Sequence, residues 1–148
     1  ATLDGIVQVS REKVSLLQIL EQIRRYMLQT LLPSARRVTI HVGGEDVIVS
    51  ADCASSVALV VNELVQNALK YAFPSGQAGR IGIELHSGRP LCQLTVWDNG
   101  VGFQADRPRP GGAGLELAST IVREKLTGEW SVESGPGGTR ISFDFLEQ

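Results

Sequence analysis

The strongest apolar pattern in the chain lies in Val57–Phe73, where hydrophobic residues recur at intervals of three and four. This spacing is typical of an α-helix with a broad apolar face, so we expect a largely buried central helix. Asp52 is placed to cap this helix, and Pro74 with the following Ser75-Gly76 ends it. The residues on the apolar face are Val57, Val60, Val61, Leu64, Val65, Ala68 and Ala72.

Three polar residues interrupt the same helix in one narrow stripe. Glu63, Asn67 and Lys70 stand at positions i, i+4 and i+7, which lie on one side of a helix with about 3.6 residues per turn. A carboxylate, an amide and an ammonium beside a buried face are costly unless a ligand uses them. The stripe offers an oxygen ligand for Mg²⁺ and a cation for phosphate; a solvated surface stripe is the alternative interpretation.

Before the central helix, a second helical pattern starts after Ser15, which is placed as its cap, and ends at Pro33-Ser34. Its apolar positions are Leu16, Leu17, Ile19, Leu20, Ile23, Met27 and Leu31. Arg37–Val42 and Asp46–Ser50 have strand patterns separated by Gly43-Gly44, which predicts a hairpin. Ile6–Val9 is a short candidate strand.

After the central helix, Arg80–His86 and Leu91–Trp97 are predicted strands that flank a short turn. A glycine- and proline-rich loop follows, and Leu115–Leu126 is a third predicted helix. Trp130–Ser134 and Thr139–Phe145 predict a closing hairpin.

The strands come in adjacent pairs between helices, which favours an α+β fold. We expect a two-layer α/β sandwich, with a mixed, mostly antiparallel sheet and about three helices on one face. The length of 148 residues corresponds to a single domain over residues 1–148.

Charge and composition exclude some classes of partner. The net charge is -2 and basic pairs are few, which argues against nucleic acid as a partner. No apolar run reaches the roughly 18 residues of a membrane span, and no signal peptide is evident, so we expect no direct membrane contact. Cys53 and Cys92 stand in apolar contexts and predict buried thiols. His41 and His86 lie in predicted strands, where we expect structural or exposed side chains.

Two glycine clusters are candidate ligand contacts. Asp98 ends a predicted strand and precedes Gly100 and Gly102, so its carboxylate could accept a hydrogen bond from an exocyclic amino group such as that of adenine. Gly112 and Gly114 precede a helix, where backbone N–H groups attract phosphate. A tight turn and a flexible entry loop are the alternatives, and neither the P-loop nor the dinucleotide fingerprint is present.

Four segments in order resemble the GHKL ATPase superfamily, and most closely the ATP-binding catalytic domain of bacterial sensor histidine kinases. They are NELVQNALKYAF, DNGVGF, GGAGLELASTIV and GPGGTRISFDF, at residues 62–73, 98–103, 111–122 and 135–145. Within that family, KYAFP and the short loop between the glycine segments are most similar to the subgroup with the second type of phosphoacceptor domain. The HWE subgroup matches less well, because the chain has Asn62 where that subgroup has a histidine.

The resemblance implies a Bergerat-type ATP-binding fold with ATP and Mg²⁺ bound beside the central helix. In this reading Asp98 would bind the adenine amino group, and Thr139 would support the adenine side. Gly100 and Gly102 would let their loop close on the nucleotide, and residues 103–113 would form a lid.

The other matched residues would serve the phosphates. Asn67 would ligate Mg²⁺, Lys70 would contact phosphate oxygens, and Gly112 and Gly114 would meet the phosphates. Glu63 is the candidate general base. Two features depart from the family pattern: Glu116 stands where many kinases have a further glycine, and the lid has no clear phenylalanine segment.

The implied partners are upstream dimerisation and phosphoacceptor helices and a response regulator, in a homodimeric and cytoplasmic parent protein. Because His41 and His86 lie in predicted strands, we expect the acceptor histidine on helices that precede Ala1. Two alternatives stay open: an anti-sigma-type protein serine kinase of the same fold, and a non-catalytic nucleotide-binding interaction module.

Overall fold

A computed structural model describes residues 12–30, 37–74, 77–88, 90–102 and 113–146. In chain order its elements are β1 (Lys13–Ser15), α1 (Leu16–Thr30), β2 (Val38–Gly44), β3 (Ile48–Ser50), α2 (Ala51–Tyr71), β4 (Gly79–His86), β5 (Leu91–Asp98), α3 (Ala113–Glu124), β6 (Trp130–Gly135) and β7 (Gly138–Leu146). The predicted strand Ile6–Val9 and the predicted helix end at Pro33 lie outside the described residues.

The main sheet has five strands in the order β2-β4-β5-β7-β6. β2 and β4 are parallel, whereas the other three pairs are antiparallel. Since buried strand residues pack in one apolar core with the three described helices, the fold is the expected α+β sandwich. The alternate strand residues, such as His41, His86 and Arg140, are exposed on the opposite face of the sheet.

α2 contributes the largest share of the helical core. All seven residues of its predicted apolar face are buried. They pack with α3 residues such as Ala118 and Val122, and with inward-facing strand residues such as Val96 and Phe143. The period of the sequence therefore correctly identified which side of α2 faces the sheet.

The predicted hairpin between Arg37–Val42 and Asp46–Ser50 is wrong. β2 includes Gly43 and Gly44 and pairs in parallel with β4, while β3 pairs antiparallel with β1. Gly44 has a φ of 109°, and the next amide, Glu45 N–H, donates to the Leu85 carbonyl at 2.8 Å. The glycine pair thus ends β2 against β4 instead of folding it back onto β3, and the strand at Lys13–Ser15 had no pattern strong enough to predict it.

The predicted cap of the central helix is also wrong. Ser50, not Asp52, is the N-cap residue of α2, and its hydroxyl accepts a hydrogen bond from Cys53 N–H at 3.1 Å. Asp52 lies within the first turn, where its charge is favourable beside the N-terminus of the helix dipole. The Ser15 cap of α1 is confirmed, since its hydroxyl accepts from Gln18 N–H at 3.2 Å.

Other bounds differ by a few residues. α2 ends at Tyr71 and not Phe73, and α3 covers Ala113–Glu124 instead of Leu115–Leu126. The closing β6–β7 hairpin has the predicted antiparallel pairing.

Cys53 and Cys92 are buried thiols, as expected, and burial raises the pKa of Cys53 to about 11. In the part of the chain that the structure describes, none of the helices has the length and apolarity to cross a membrane.

Candidate functional site

The candidate site is centred on two polar side chains at one end of the sheet, Asp98 and Thr139. Asp98 is the last residue of β5 and Thr139 the second residue of β7, and the two lie directly opposite each other. Both are buried, with exposed fractions of 8% and 4%. A buried carboxylate is costly without polar partners, and Asp98 Oδ1 accepts a hydrogen bond from Gly100 N–H at 2.9 Å.

The loop after Asp98 is tied to both neighbouring layers. Asn99 N–H donates to the Arg80 carbonyl at 3.2 Å, and Arg80 N–H donates to Asn99 Oδ1 at 2.7 Å. Val101 N–H then donates to the Ala72 carbonyl at 2.9 Å. Asp98 is therefore held between the start of β4 and the end of α2.

Close packing explains why glycine is needed in this loop and in the β6–β7 turn. A Cβ atom at Gly100 would overlap Ala72, and one at Gly138 would overlap the Asp98 carbonyl. Gly102 has a φ of 70° and lies against the Gly135 carbonyl. These glycines bring the loop, the end of α2 and the β6–β7 turn into close contact.

Thr139 has a neighbouring hydroxyl that supports it. Its Oγ1 lies 2.7 Å from Ser134 Oγ, across the β6–β7 pair. Either hydroxyl can donate, so the pair can adjust to a donor or an acceptor on a ligand. Sequence reasoning did not identify Ser134, because a serine beside a glycine-rich turn carries no signal of its own.

The three side chains of the polar stripe of α2 differ in their exposure to solvent. Asn67 is buried with an exposed fraction of 6%, Glu63 is half-buried, and Lys70 is exposed in the last turn. Asn67 Nδ2 is the one buried side-chain polar atom of the described residues that has no hydrogen-bond partner. An unsatisfied amide inside an otherwise apolar helix face is a position where a bound polar group would be stabilising.

A cavity of about 410 Å³ opens at Asp98 and Thr139. It lies at the end of the sheet and reaches both of its faces, since it is also lined by Trp97, Asn99, Glu133, Ser134, Arg140 and the glycines of the β6–β7 turn. Glu63, Asn67 and Lys70 are not among the described residues that line it. The structure thus brings Asp98 and Thr139 together, and joins α2 to them through the contacts of Ala72 with the Asp98 loop.

A larger cavity, of about 600 Å³, lies between α3 and β6 and shares Glu133 and Ser134 with the first. Its other lining residues include Leu115, Glu116, Trp130 and Val132. It is more apolar than the cavity at Asp98 and holds neither Asp98 nor Thr139. We therefore centre the candidate site on the smaller cavity, which contains the buried carboxylate of Asp98 and the hydroxyl of Thr139.

The phosphate side of the predicted site is described only in part. Gly114 is the second residue of α3, at a helix start where backbone N–H groups face outward. Gly112 and most of the expected lid, residues 103–112, lie outside the described residues. Their predicted roles therefore remain predictions.

Comparison with known proteins agrees with the four sequence segments. A profile of the histidine kinase-, DNA gyrase B- and HSP90-like ATPases matches residues 53–148. The sensor histidine kinase PdtaS of Mycobacterium tuberculosis is 27% identical over 128 residues, which are 84% of this chain and 25% of PdtaS. The chain thus spans about a quarter of the length of this relative.

Solved structures show the same fold. The histidine kinase domain of the blue-light-activated kinase EL346 from Erythrobacter litoralis has a TM-score of 0.79 at 24% identity, over 92% of this chain and 67% of that one. The histidine kinase ThkA, solved in complex with the response regulator TrrA, has a TM-score of 0.73 at 18% identity, over 99% of this chain and 46% of the other. Because the family profile covers well over half of the residues, including Asp98, Thr139 and the polar stripe of α2, the chain belongs to the histidine kinase-, DNA gyrase B- and HSP90-like ATPases.

Proposed function

We propose that the chain is the ATP-binding catalytic domain of a two-component sensor histidine kinase. It would donate the γ-phosphoryl group of ATP to a histidine on a separate dimerisation domain, with ADP as the other product, for relay to a response regulator. The observation that carries this proposal is the buried Asp98 carboxylate, paired with Thr139 at a cavity, in a chain of this ATPase family.

The adenine end of the nucleotide is assigned to Asp98. A carboxylate accepts hydrogen bonds and donates none when ionised, so it selects an exocyclic amino group over a carbonyl oxygen. Adenine presents an amino group at the position where guanine presents an oxygen. A buried acceptor strengthens this discrimination, because a guanine oxygen placed there would leave both groups unsatisfied.

The phosphate end is assigned to the last turns of α2. Asn67, whose amide is incompletely satisfied, fits an oxygen ligand for Mg²⁺ once its side chain presents Oδ1, and Lys70 fits a phosphate contact. Bound Mg²⁺ would supply charge neutralisation at the phosphates. Glu63, half-buried on the same stripe, would act as the general base toward the attacking group.

The proposed partners follow from the kinase relatives. Upstream dimerisation helices would bring the acceptor histidine, as two protomers of a cytoplasmic parent. A response regulator would receive the phosphoryl group, as a partner of the kind that ThkA binds. Gly100 and Gly102 would let their loop close on the nucleotide, and Gly112 and Gly114 would meet the phosphates.

Calorimetric titration tests the nucleotide site directly. We expect the chain to bind ATP more tightly with Mg²⁺ than without it, and to bind GTP at least tenfold more weakly, which corresponds to about 1.4 kcal/mol. Asp98→Asn should abolish this preference, because an amide can donate to the guanine oxygen.

The matched control is Asp52→Asn, which changes an exposed aspartate at the opposite end of α2. We expect this variant to bind both nucleotides as the wild-type chain does. Equal affinity of the folded wild-type chain for ATP and GTP, or no binding of either, would contradict the proposal.

A further inference from the structure

Asn99 forms an unusual end to the β4–β5 pairing. The last regular pair is Ile81 with Asp98. One residue further, Arg80 and Asn99 still exchange two hydrogen bonds, but Arg80 N–H donates to the side-chain Oδ1 of Asn99, at 2.7 Å. The side chain of Asn99 takes the place that a main-chain carbonyl has in a regular antiparallel ladder.

This substitution releases the main chain to leave the sheet. Directly afterwards, Gly100 N–H turns back to Asp98 Oδ1 at 2.9 Å, and Val101 N–H reaches the Ala72 carbonyl at 2.9 Å. The turn that holds the carboxylate of Asp98 is therefore anchored to β4 by Asn99 and to α2 by Val101. Loss of either anchor would widen the range of positions that Asp98 can take.

We propose that Asn99 is a positioning residue for Asp98, and that it sets the preference of the site for adenine by holding the Asp98 carboxylate in place. This role rests on the function proposed above for Asp98. Asn99 is exposed, so it contributes little to the core, and its acceptor oxygen is the chemically essential part.

Two variants separate the acceptor oxygen from the size of the side chain. Asn99→Asp keeps an oxygen at the position of Oδ1, whereas Asn99→Leu keeps a similar volume and removes it. We expect Asn99→Leu to reduce the ratio of ATP to GTP affinity about fivefold, the ratio that corresponds to the loss of one hydrogen bond. Asn99→Asp should stay within about twofold of the wild-type ratio.

Amide hydrogen exchange provides a measurement that needs no nucleotide. In Asn99→Leu we expect the Gly100 amide to exchange about fivefold faster, because its bond to Asp98 would open more often. The Glu45 amide, which donates to Leu85 at the other end of β4, reports that the sheet is intact and should not change. Ser87→Ala, at that same end of β4, is the matched surface control.

The outcomes distinguish the two proposals. If Asp98→Asn abolishes the ATP preference but Asn99→Leu keeps both the preference and the Gly100 exchange rate, the role of Asn99 is wrong and the nucleotide site stands. If the wild-type chain shows no ATP preference, the proposed function and this role are both wrong. An Asn99→Asp variant as impaired as Asn99→Leu would also overturn the role of the acceptor oxygen.

Discussion

Two aspartates show how differently this chain satisfies a carboxylate. Asp98 is buried and lines a cavity, whereas Asp46 is exposed and links two segments of the fold by hydrogen bonds. Asp46 accepts from Ser15 Oγ at 2.7 Å, from Leu17 N–H at 3.0 Å and from Val47 N–H at 2.8 Å. It therefore joins the start of α1 to the segment before β3, two elements that are far apart in sequence.

Stability at low pH should depend on Asp46. Its slight burial opposes ionisation, but the three hydrogen bonds outweigh that effect and hold its pKa below the usual 3.8. A lowered pKa in the folded state stabilises the protein above pH 3.8, and this contribution is lost as the pH falls below that value. Because Asp46 is exposed, we expect a modest effect.

Urea unfolding at a series of pH values measures how much Asp46 contributes to the free energy of unfolding. Asp46→Asn should lose less of its free energy of unfolding on acidification than the wild-type chain does. Asp52→Asn is the control, since Asp52 lies outside this group of hydrogen bonds. A wild-type and an Asp46→Asn chain with parallel pH profiles would show that the hydrogen bonds of Asp46 do not favour its charged form.

At the scale of elements, α2 organises the molecule. Its apolar face covers the sheet, its last turns carry Asn67 and Lys70, and its end receives the Asp98 loop at Ala72. The helix starts directly after β3, which leaves one residue, Ser50, to act both as the end of a strand and as the helix cap. The C-terminal end of α2 therefore contacts the candidate site, whereas its N-terminal end is fixed by β3 and the Ser50 cap.

The cap of α2 can be tested against the cap that the sequence suggested. Ser50→Ala removes the acceptor of the Cys53 N–H bond and should lower the free energy of unfolding by about 1 kcal/mol. Asp52→Ala removes only a charge from the first turn and should cost about half as much or less. Thermal or urea unfolding of both variants gives the comparison, and a larger loss in Asp52→Ala would contradict the assigned cap.

At the scale of the whole molecule, the sheet separates a helix-covered face from a polar face. His41 and His86 are exposed on the polar face, while Asp98 and Thr139 point toward the helices. The two histidines of the chain thus lie on the other side of the sheet from the side chains of Asp98 and Thr139. This separation fits a catalytic domain that phosphorylates a histidine supplied by another domain.

We therefore expect the chain alone to incorporate phosphate from ATP only slowly, and an added dimerisation domain of the parent protein to become labelled. The label should be lost in acid and kept in alkali, as for a phosphorus–nitrogen bond. A His41→Gln/His86→Gln variant of the chain should label that domain equally well. Rapid self-labelling of the wild-type chain, or an acid-stable label on a partner serine, would contradict histidine kinase activity with a separate acceptor.

The sequence by itself determined the α+β class, the three helices, the buried side of α2 and the strands β4 to β7, because each follows from a local period of two or 3.6 residues. It also singled out Asp98 and Thr139. Only the tertiary structure decided that β2 pairs with β4, that β3 pairs with β1 and that Ser50 caps α2. Strand partners depend on contacts between distant residues, which periodicity does not encode, and the same holds for the bonds by which Asn99 and Ser134 support the two buried polar groups.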